Sequence, residues 1–203
     1  MDTCYAESLK SNFLENLTRR YGRERGGVHV SDLVLCLRES FYRKTQPLPS
    51  TVEELGFFVD GAARHSALEG LSGFRCEVPL KRWGIVGTVD MLGDYPLEYK
   101  STRARSSLPS HYWRQLKYYC VLLAVDQGYL VVQRLHGEDP WEFYQAKFNS
   151  EEIAATTTEI WERAKLLREA LEVKNVSMLP IVGEALAWKC LRCKYRLVCA
   201  AAR

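Results

Sequence analysis

Two groups of residues in this sequence have types and spacing that can do chemistry. The first is built around Glu98-Tyr99-Lys100. If this triplet is extended, the two-residue period of a strand puts Glu98 and Lys100 on one face. Tyr99 then points the other way, with its carbonyl near the same edge. Asp90 lies eight positions upstream, across a turn centred on Gly93-Asp94, so a hairpin would set its carboxylate beside Glu98. Facing carboxylates repel unless a cation sits between them. A divalent cation held by hard oxygen ligands beside a fixed ammonium is what hydrolysis of a phosphodiester requires. An E-x-K triplet alone is common on exposed strands, so further residues must converge on it. His65, on a helix just before the hairpin, offers an imidazole to such a site. Glu69, one turn later on the same face, could orient that imidazole.

The second group is sulfur. Cys190, Cys193 and Cys199 form C-x2-C-x5-C in the tail, and Cys36 stands far upstream. Three close thiolates and one distant partner suit a tetrahedral zinc or an iron-sulfur cluster equally well on spacing alone. Cys4, Cys76 and Cys120 fall outside the pattern and receive no role.

These residues must be positioned by the elements around them. Helical composition covers 5–20 and stops before Gly26-Gly27. Ser31 is expected to cap a second helix reaching about Arg43, with Cys36 on it. Thr51 and Glu54 form a capping box for a third helix that carries His65 and ends before Gly73. The period then turns extended, predicting strands over 74–82, 84–92 and 95–102 as a meander. Pro109 and Ser110 open a fourth helix that runs to Val125, with Gly128 ending it. Strands over 129–135 and 141–148 are expected next, on either side of a turn at 136–140. Ser150, with Glu151 and Glu152 in the first turn, starts a long helix to about Val173. This order implies an α/β domain with a central mixed sheet.

Bulk properties set the outer limits. A chain of 203 residues with 47% apolar and 26% charged positions can bury one substantial core, and nothing points to disorder. The first ten residues lack the apolar run of a signal peptide, and the longest apolar run, 118–125, is too short for a bilayer. A soluble protein of the cytoplasm, with no membrane partner, is therefore expected. Seven cysteines without a secretion signal read as thiols or ligands and not as a disulfide framework. A net charge of +3 says little by itself, but basic residues cluster. One cluster is Arg19, Arg20, Arg23 and Arg25. The other, Arg103, Arg105, Arg114 and Lys117, follows the Glu98 triplet, with Tyr112, Trp113 and Tyr118 nearby as base-stacking candidates.

The motifs together resemble the RecB-like branch of the PD-(D/E)XK nucleases. The matching pieces are G-A-A-R-H-S-A-L-E at 61–69, G-T-V-D at 87–90, E-Y-K at 98–100 and Q-L-K-Y-Y at 115–119, in the family's order and over most of the chain. The resemblance implies a restriction-endonuclease-like core with a central mixed sheet flanked by helices. It implies that His65, Asp90, Glu98 and the Tyr99 carbonyl bind Mn2+ or Mg2+, and that Lys100 positions the attacking water. An imidazole ligand favours Mn2+ more than an all-oxygen site would. Gln115 and Tyr119 match a Q-x3-Y motif that orients the substrate and the site, and four residues apart on a helix they share a face.

The early cysteine and the C-terminal C-x2-C-x-Y-x3-C, with Tyr195, are similar to those of CRISPR-associated iron-sulfur exonucleases. That family implies a 4Fe-4S cluster in most members, with a 2Fe-2S form compatible with the same ligands Cys36, Cys190, Cys193 and Cys199. The cluster would clip the tail to the N-terminal helices. Ala200 stands where ferredoxin-type runs have proline. One nuclease domain over 1–203 is expected, with a core of about 51–173 and an iron-sulfur subdomain from about 28–46 plus 180–203. The implied activity is metal-dependent trimming of single-stranded DNA, 5'-to-3', in CRISPR spacer acquisition beside the CRISPR integrase complex, with endonuclease activity a further option. Two alternatives stay open. One is a repair or recombination nuclease of the same fold, working beside a separate helicase because no G-x4-G-K-S/T loop occurs here. The other is a non-catalytic DNA-binding module with structural zinc.

Overall fold

The computed structural model describes residues 3–21, 26–103, 107–136, 140–183 and 187–202. Helix α1 (Thr3–Tyr21) is followed by strand β1 (Val28–His29) and helices α2 (Val30–Val34), α3 (Leu37–Thr45) and α4 (Val52–Ser72). Strands β2 (Arg75–Arg82), β3 (Ile85–Leu92) and β4 (Pro96–Thr102) lead to α5 (Ser110–Leu123). Strands β5 (Gln127–Arg134) and β6 (Trp141–Lys147), helix α6 (Ser150–Glu172), a 3-10 turn (Val176–Met178) and short helices α7 (Ala187–Leu191) and α8 (Arg196–Ala201) complete the chain. No described helix is long and apolar enough to cross a membrane.

The six strands form one mixed sheet. Strand β2 runs antiparallel along the length of β3, from Arg75↔Leu92 to Arg82↔Ile85, with a lapse at Asp90. That occupies one edge of β3, so its other two partners must share the opposite edge. There β1 pairs in parallel at Ile85 and Val86, and β4 pairs antiparallel at Met91 and Leu92. Beyond β4 come β5, parallel, and β6, antiparallel. A parallel β4–β5 pair needs a crossover, and α5 supplies it.

Helices cover both faces. Leu68 of α4 packs with Met91, Tyr99 and Val131 on one side, and α1 lies against α4. On the other side α5 and α6 join α2 and α3 in the main core. From α6 this core takes Ile160, Ala164, Leu167 and Ala170, spaced three or four apart along one helix face. Leu179 and Tyr195 of the tail belong to the same core. The architecture is a mixed α/β sheet flanked by helices.

Several boundaries differ from the sequence reading. Strand β1 is only two residues long and too short to carry a period. The expected continuous helix from Ser31 is two helices. His29, not Ser31, caps α2, with Asp32 Oδ2 accepting the His29 N–H at 2.9 Å. The chain breaks at Leu35 (φ −116°, ψ −115°), so Cys36 is the N-cap of α3 and does not lie inside a helix. Two guanidinium groups hold that break. Arg163 Nε donates to the Leu33 carbonyl at 2.7 Å, its Nη2 donates to that of Leu35, and Arg114 Nη1 donates to that of Val34 at 2.9 Å. The orphan carbonyls of a helix end are thus satisfied by side chains from α5 and α6.

The Thr51–Glu54 capping box and the left-handed Gly73 stop are as expected. Helix α5 ends at left-handed Ala124, while Gly128 lies within β5, where a Cβ would sit 2.8 Å from Leu116 Cδ1. Asn149, one residue before Ser150, caps α6 in a box with Glu152. The expected turn at 136–140 falls largely on 137–139, outside the described residues.

Candidate functional site

The chemistry collects where the sheet splits. Strands β1 and β4 take the two ends of one edge of β3, which leaves residues 87–90 on that edge without a ladder partner. The β3–β4 register, carried one step past Met91↔Leu97, puts Asp90 opposite Glu98, but the ladder has stopped. The Asp90 carboxylate replaces it: Oδ2 accepts the Tyr99 N–H at 2.8 Å. In extended backbone a residue's N–H and C=O project to the same edge, so the Tyr99 carbonyl also faces the gap. The Tyr99 ring points away, donating its hydroxyl to Gln133 at 2.6 Å and lying edge-on to His65 at 5.0 Å. The alternation read from the sequence therefore holds.

Glu98 is fully buried, and beyond its ion pair with the Lys100 ammonium neither oxygen has a hydrogen-bond partner. Burial pushes its carboxyl up to about 7; Lys100 opposes that rise and the Asp90 charge adds to it. For Lys100, burial favours the neutral amine, but Glu98 and Asp90 outweigh it, so the net shift is upward and the ammonium persists. Burying an ionised carboxylate costs several kcal/mol even after relaxation, against roughly 1 kcal/mol returned by one ordinary hydrogen bond. A carboxylate so placed fits a bound cation.

His65 reaches the group from α4, its Nδ1 3.7 Å from Asp90 Oδ1 and 3.9 Å from Glu77 Oε1. Ligand atoms of His65, Glu77 and Asp90 all lie within 4.8 Å of one another. Glu77 was not anticipated. The sequence offers a lone acid in an alternating strand; its signal is the backbone, where φ is +48° inside β2. That conformation costs a residue with a side chain roughly 1–3 kcal/mol and tends to persist at functional sites. Glu69 was the expected partner of His65, but its side chain lies outside the described residues.

Helix α5 closes the gap from the other face. Tyr119 donates its hydroxyl to the Thr88 carbonyl, on the unladdered stretch of β3, at 2.7 Å, and receives Gln115 Nε2 at 3.4 Å. Gln115 and Tyr119 thus share one face of α5, as their spacing implied, and bond to each other there. Gly87 makes the approach possible, because a Cβ there would be 3.0 Å from both the Tyr119 ring and Val30. Burial, then the Glu98 charge, raise the Tyr119 phenol far above its ordinary range, so it stays a donor. His29, Val30, Ser31, Glu77 and Asp90 line the same cleft of about 230 Å3 with Gln115 and Tyr119.

The expected DNA contacts need correction. Arg114 is committed to the Val34 carbonyl and to Glu159 at 3.4 Å. Lys117 pairs with Glu152 at 3.1 Å and lies over Phe148, two residues along the helix from Gln115 and so turned away from it. Tyr118 is fully buried in the main core and cannot stack on a base, and Trp113 packs edge-on to Tyr144 at 5.5 Å. Tyr112 remains beside the site, with Lys100 Nζ 5.8 Å from its ring centre. Arg103 is exposed, its guanidinium 5.7 Å from the Phe57 ring. Arg105, Arg23, Arg25 and the Cys4 side chain lie outside the described residues.

The four selected cysteines are all partly buried free thiols at the junction of α3 with the tail. Cys36 and Cys199 interact electrostatically, as do Cys36 and Cys193, while Cys193 N–H donates to the Cys190 carbonyl at 3.3 Å. Burial raises both the Cys36 and Cys193 thiols, against the pull of nearby backbone N–H groups. Arg38 donates to the Leu179 carbonyl at 2.8 Å, and Tyr42 stacks on Tyr195 at 5.6 Å. Cys120, by contrast, packs between α5 and β5, and burial pushes its thiol up to about 12.

No protein-family model matches the sequence, and no curated protein matches it. Solved structures do. The crystal structure of SSO0001 is similar over 96% of both chains, with 22% identity and a TM-score of 0.65. An alkaline exonuclease, LHK-Exo from Laribacter hongkongensis, is similar over 73% of this chain and 91% of its own, with 13% identity and a TM-score of 0.52. Its complex with dAMP gives 14% identity and a TM-score of 0.51. Likeness at these identities concerns the fold: this chain shares the fold of an alkaline exonuclease.

Proposed function

We propose that this chain is a metal-dependent DNA nuclease that trims single-stranded DNA and carries an iron-sulfur cluster. One observation supports the nuclease reading above all. Glu98, fully buried and lacking any hydrogen-bond partner beyond Lys100, stands in register with Asp90 at a split in the sheet that His65 also reaches. His65, Asp90, Glu98 and the Tyr99 carbonyl would hold Mn2+ or Mg2+. The bound cation supplies charge neutralisation at phosphoryl oxygens and a more acidic water. Lys100 keeps its proton beside Glu98 and presents a fixed positive charge to the attacking water or the scissile phosphate. Tyr119 and Gln115 hold β3 in place from behind, and Tyr112 offers a ring to the strand near Lys100. Arg103 remains the candidate phosphate contact.

For the cysteines, the likeness of C-x2-C-x-Y-x3-C plus an early cysteine to iron-sulfur exonucleases supports a cluster over zinc. Cys36, Cys190, Cys193 and Cys199 would bind 4Fe-4S, or 2Fe-2S with the same ligands. The motif order resembles that of CRISPR-associated exonucleases, and on that resemblance the proposed activity is prespacer processing beside the integrase complex, with 5'-to-3' polarity.

End-labelled single-stranded oligonucleotides incubated with Mn2+, Mg2+ or chelator test the activity, and product lengths read its direction. Glu98→Ala and Lys100→Ala should each lower the rate at least about a hundredfold; unchanged turnover in either overturns the assignment. Anaerobically purified protein should contain iron and acid-labile sulfide. Stoichiometric zinc in their place would remove the cluster.

A further inference from the structure

We propose that Glu77 is itself a ligand of the divalent cation, a third acidic ligand delivered by β2; this rests on the nuclease reading of the same site. Register is the first reason. Pairs Cys76↔Met91 and Val78↔Val89 put Glu77 opposite Asp90, and the ladder between β2 and β3 lapses at that one pair. Conformation is the second. At φ +48° the backbone of Glu77 leaves the extended region, and its carboxylate comes within 3.9 Å of His65 Nδ1. The ligand atoms of His65, Glu77 and Asp90 then fall within 4.8 Å of one another, a spacing one ion can span.

An independent observation points to a cation here. Glu98, next to Asp90 in register, is buried with neither oxygen hydrogen-bonded outside its ion pair to Lys100. Charge adds a third reason. With Glu77, Asp90 and Glu98 all ionised, the state a bound cation favours, three negative charges face the single ammonium of Lys100, with His65 neutral as a ligand. Two charges remain to be balanced, which a divalent ion does. Since the Glu77 side chain is 55% exposed, it approaches from the solvent side, whereas Glu98 approaches from inside the sheet.

A structural alternative is that Glu77 merely pairs with a protonated His65. Mn2+ titrated calorimetrically into the full chain, purified with its cysteine site intact, separates the two. Wild type should bind Mn2+ and Asp90→Asn should lose binding. Glu77→Gln, which keeps shape and removes charge, should weaken Mn2+ binding about tenfold. Glu77→Gly should weaken it similarly, yet unfold in chelator at or above the wild-type temperature, because glycine adopts positive φ without strain. Weakened binding in that variant is then not damage to the fold. If Glu77→Gln binds Mn2+ like wild type while Asp90→Asn does not, Glu77 is no ligand and the nuclease reading stands. If Asp90→Asn also binds like wild type, the cation site itself is wrong and the role of Glu77 goes with it.

Discussion

His111 shows how one residue records the charge around it. It sits in the first turn of α5, 4.7 Å from the Tyr112 ring and 6.1 Å from that of Trp188. Burial first, then the charges of Lys100, Lys189 and Arg114, lower its pKa to about 4. In the unfolded chain the imidazole takes its proton near 6.5; in the folded protein it resists down to about 4. The unfolded state therefore binds more protons between those values, and stability is lost as pH falls through that window. Discounted for partial exposure, the loss from this group is about 1–2 kcal/mol. Glu98, raised to about 7, gains stability over the same window, so the His111 loss is read as a difference. From pH 7 to pH 4.5 the urea midpoint of wild type should fall relative to that of His111→Gln, and an unchanged difference would refute the placement. At this scale the sequence was legible where geometry is periodic. Asp90, Glu98 and Lys100 follow from a two-residue strand period and a hairpin register. Arg114 and Tyr118 were misread because basic and aromatic residue types look the same in a list whether they meet DNA, cap a broken helix or fill a core.

Helix α5 is the element on which position depends most, and two glycines let it lie close to the sheet. At Gly87 a Cβ would press on the Tyr119 ring and Val30, both at 3.0 Å. At Gly128 it would meet Leu116 Cδ1 at 2.8 Å and Cys120 Sγ at 3.1 Å, on the face of α5 that packs into the core. Both substitutions overpack, at a cost of roughly 1–3 kcal/mol each. Their effects on function should diverge. Gly87→Ala should displace Tyr119 from the Thr88 carbonyl and lower cleavage by at least about tenfold, because small misplacements are expensive at a reacting centre. Gly128→Ala should lower the melting temperature while the folded fraction cleaves normally. Cleavage rates per folded molecule decide this, and equal loss in both would mean that Tyr119 matters only for packing. The helices and the long strands were readable from caps and period. The short β1 was not, since two residues carry no pattern and their pairing depends on β3, more than fifty positions later.

At the scale of the whole molecule, α3 and the C-terminal tail, far apart in sequence, meet beside the cysteines. The Arg38–Leu179 hydrogen bond closes a loop of 141 residues, and the Arg38–Cys199 contact one of 161. Loop closure over such lengths costs about 4–5 kcal/mol. The polar contacts that dock the tail, such as Tyr42 to the Val198 carbonyl at 3.3 Å and Lys189 to Glu39 at 3.0 Å, return about 1 kcal/mol or less each. Burial of Leu179 and Tyr195 in the main core adds to that docking, and metal-thiolate bonds from Cys36 to the tail would strengthen it further. Cys193→Ser should thus lose iron and sulfide, and its melting temperature should fall by on the order of 10 °C, given roughly 2–4 °C per kcal/mol at this size. Trypsin should cut first at Arg192, Lys194 or Arg196, which are exposed on the tail. Trp188 of the tail leans on His111, so release also unloads the turn of α5 that sets Tyr112 beside Lys100, and cleavage should fall. Mn2+ affinity should not change, because His65, Glu77, Asp90 and Glu98 are carried by α4 and the strands, not by the tail. A variant that keeps its melting temperature and its resistance to trypsin would show that polar and apolar docking suffice to hold the tail in place. A variant that loses Mn2+ binding would show that the two centres form one cooperative unit.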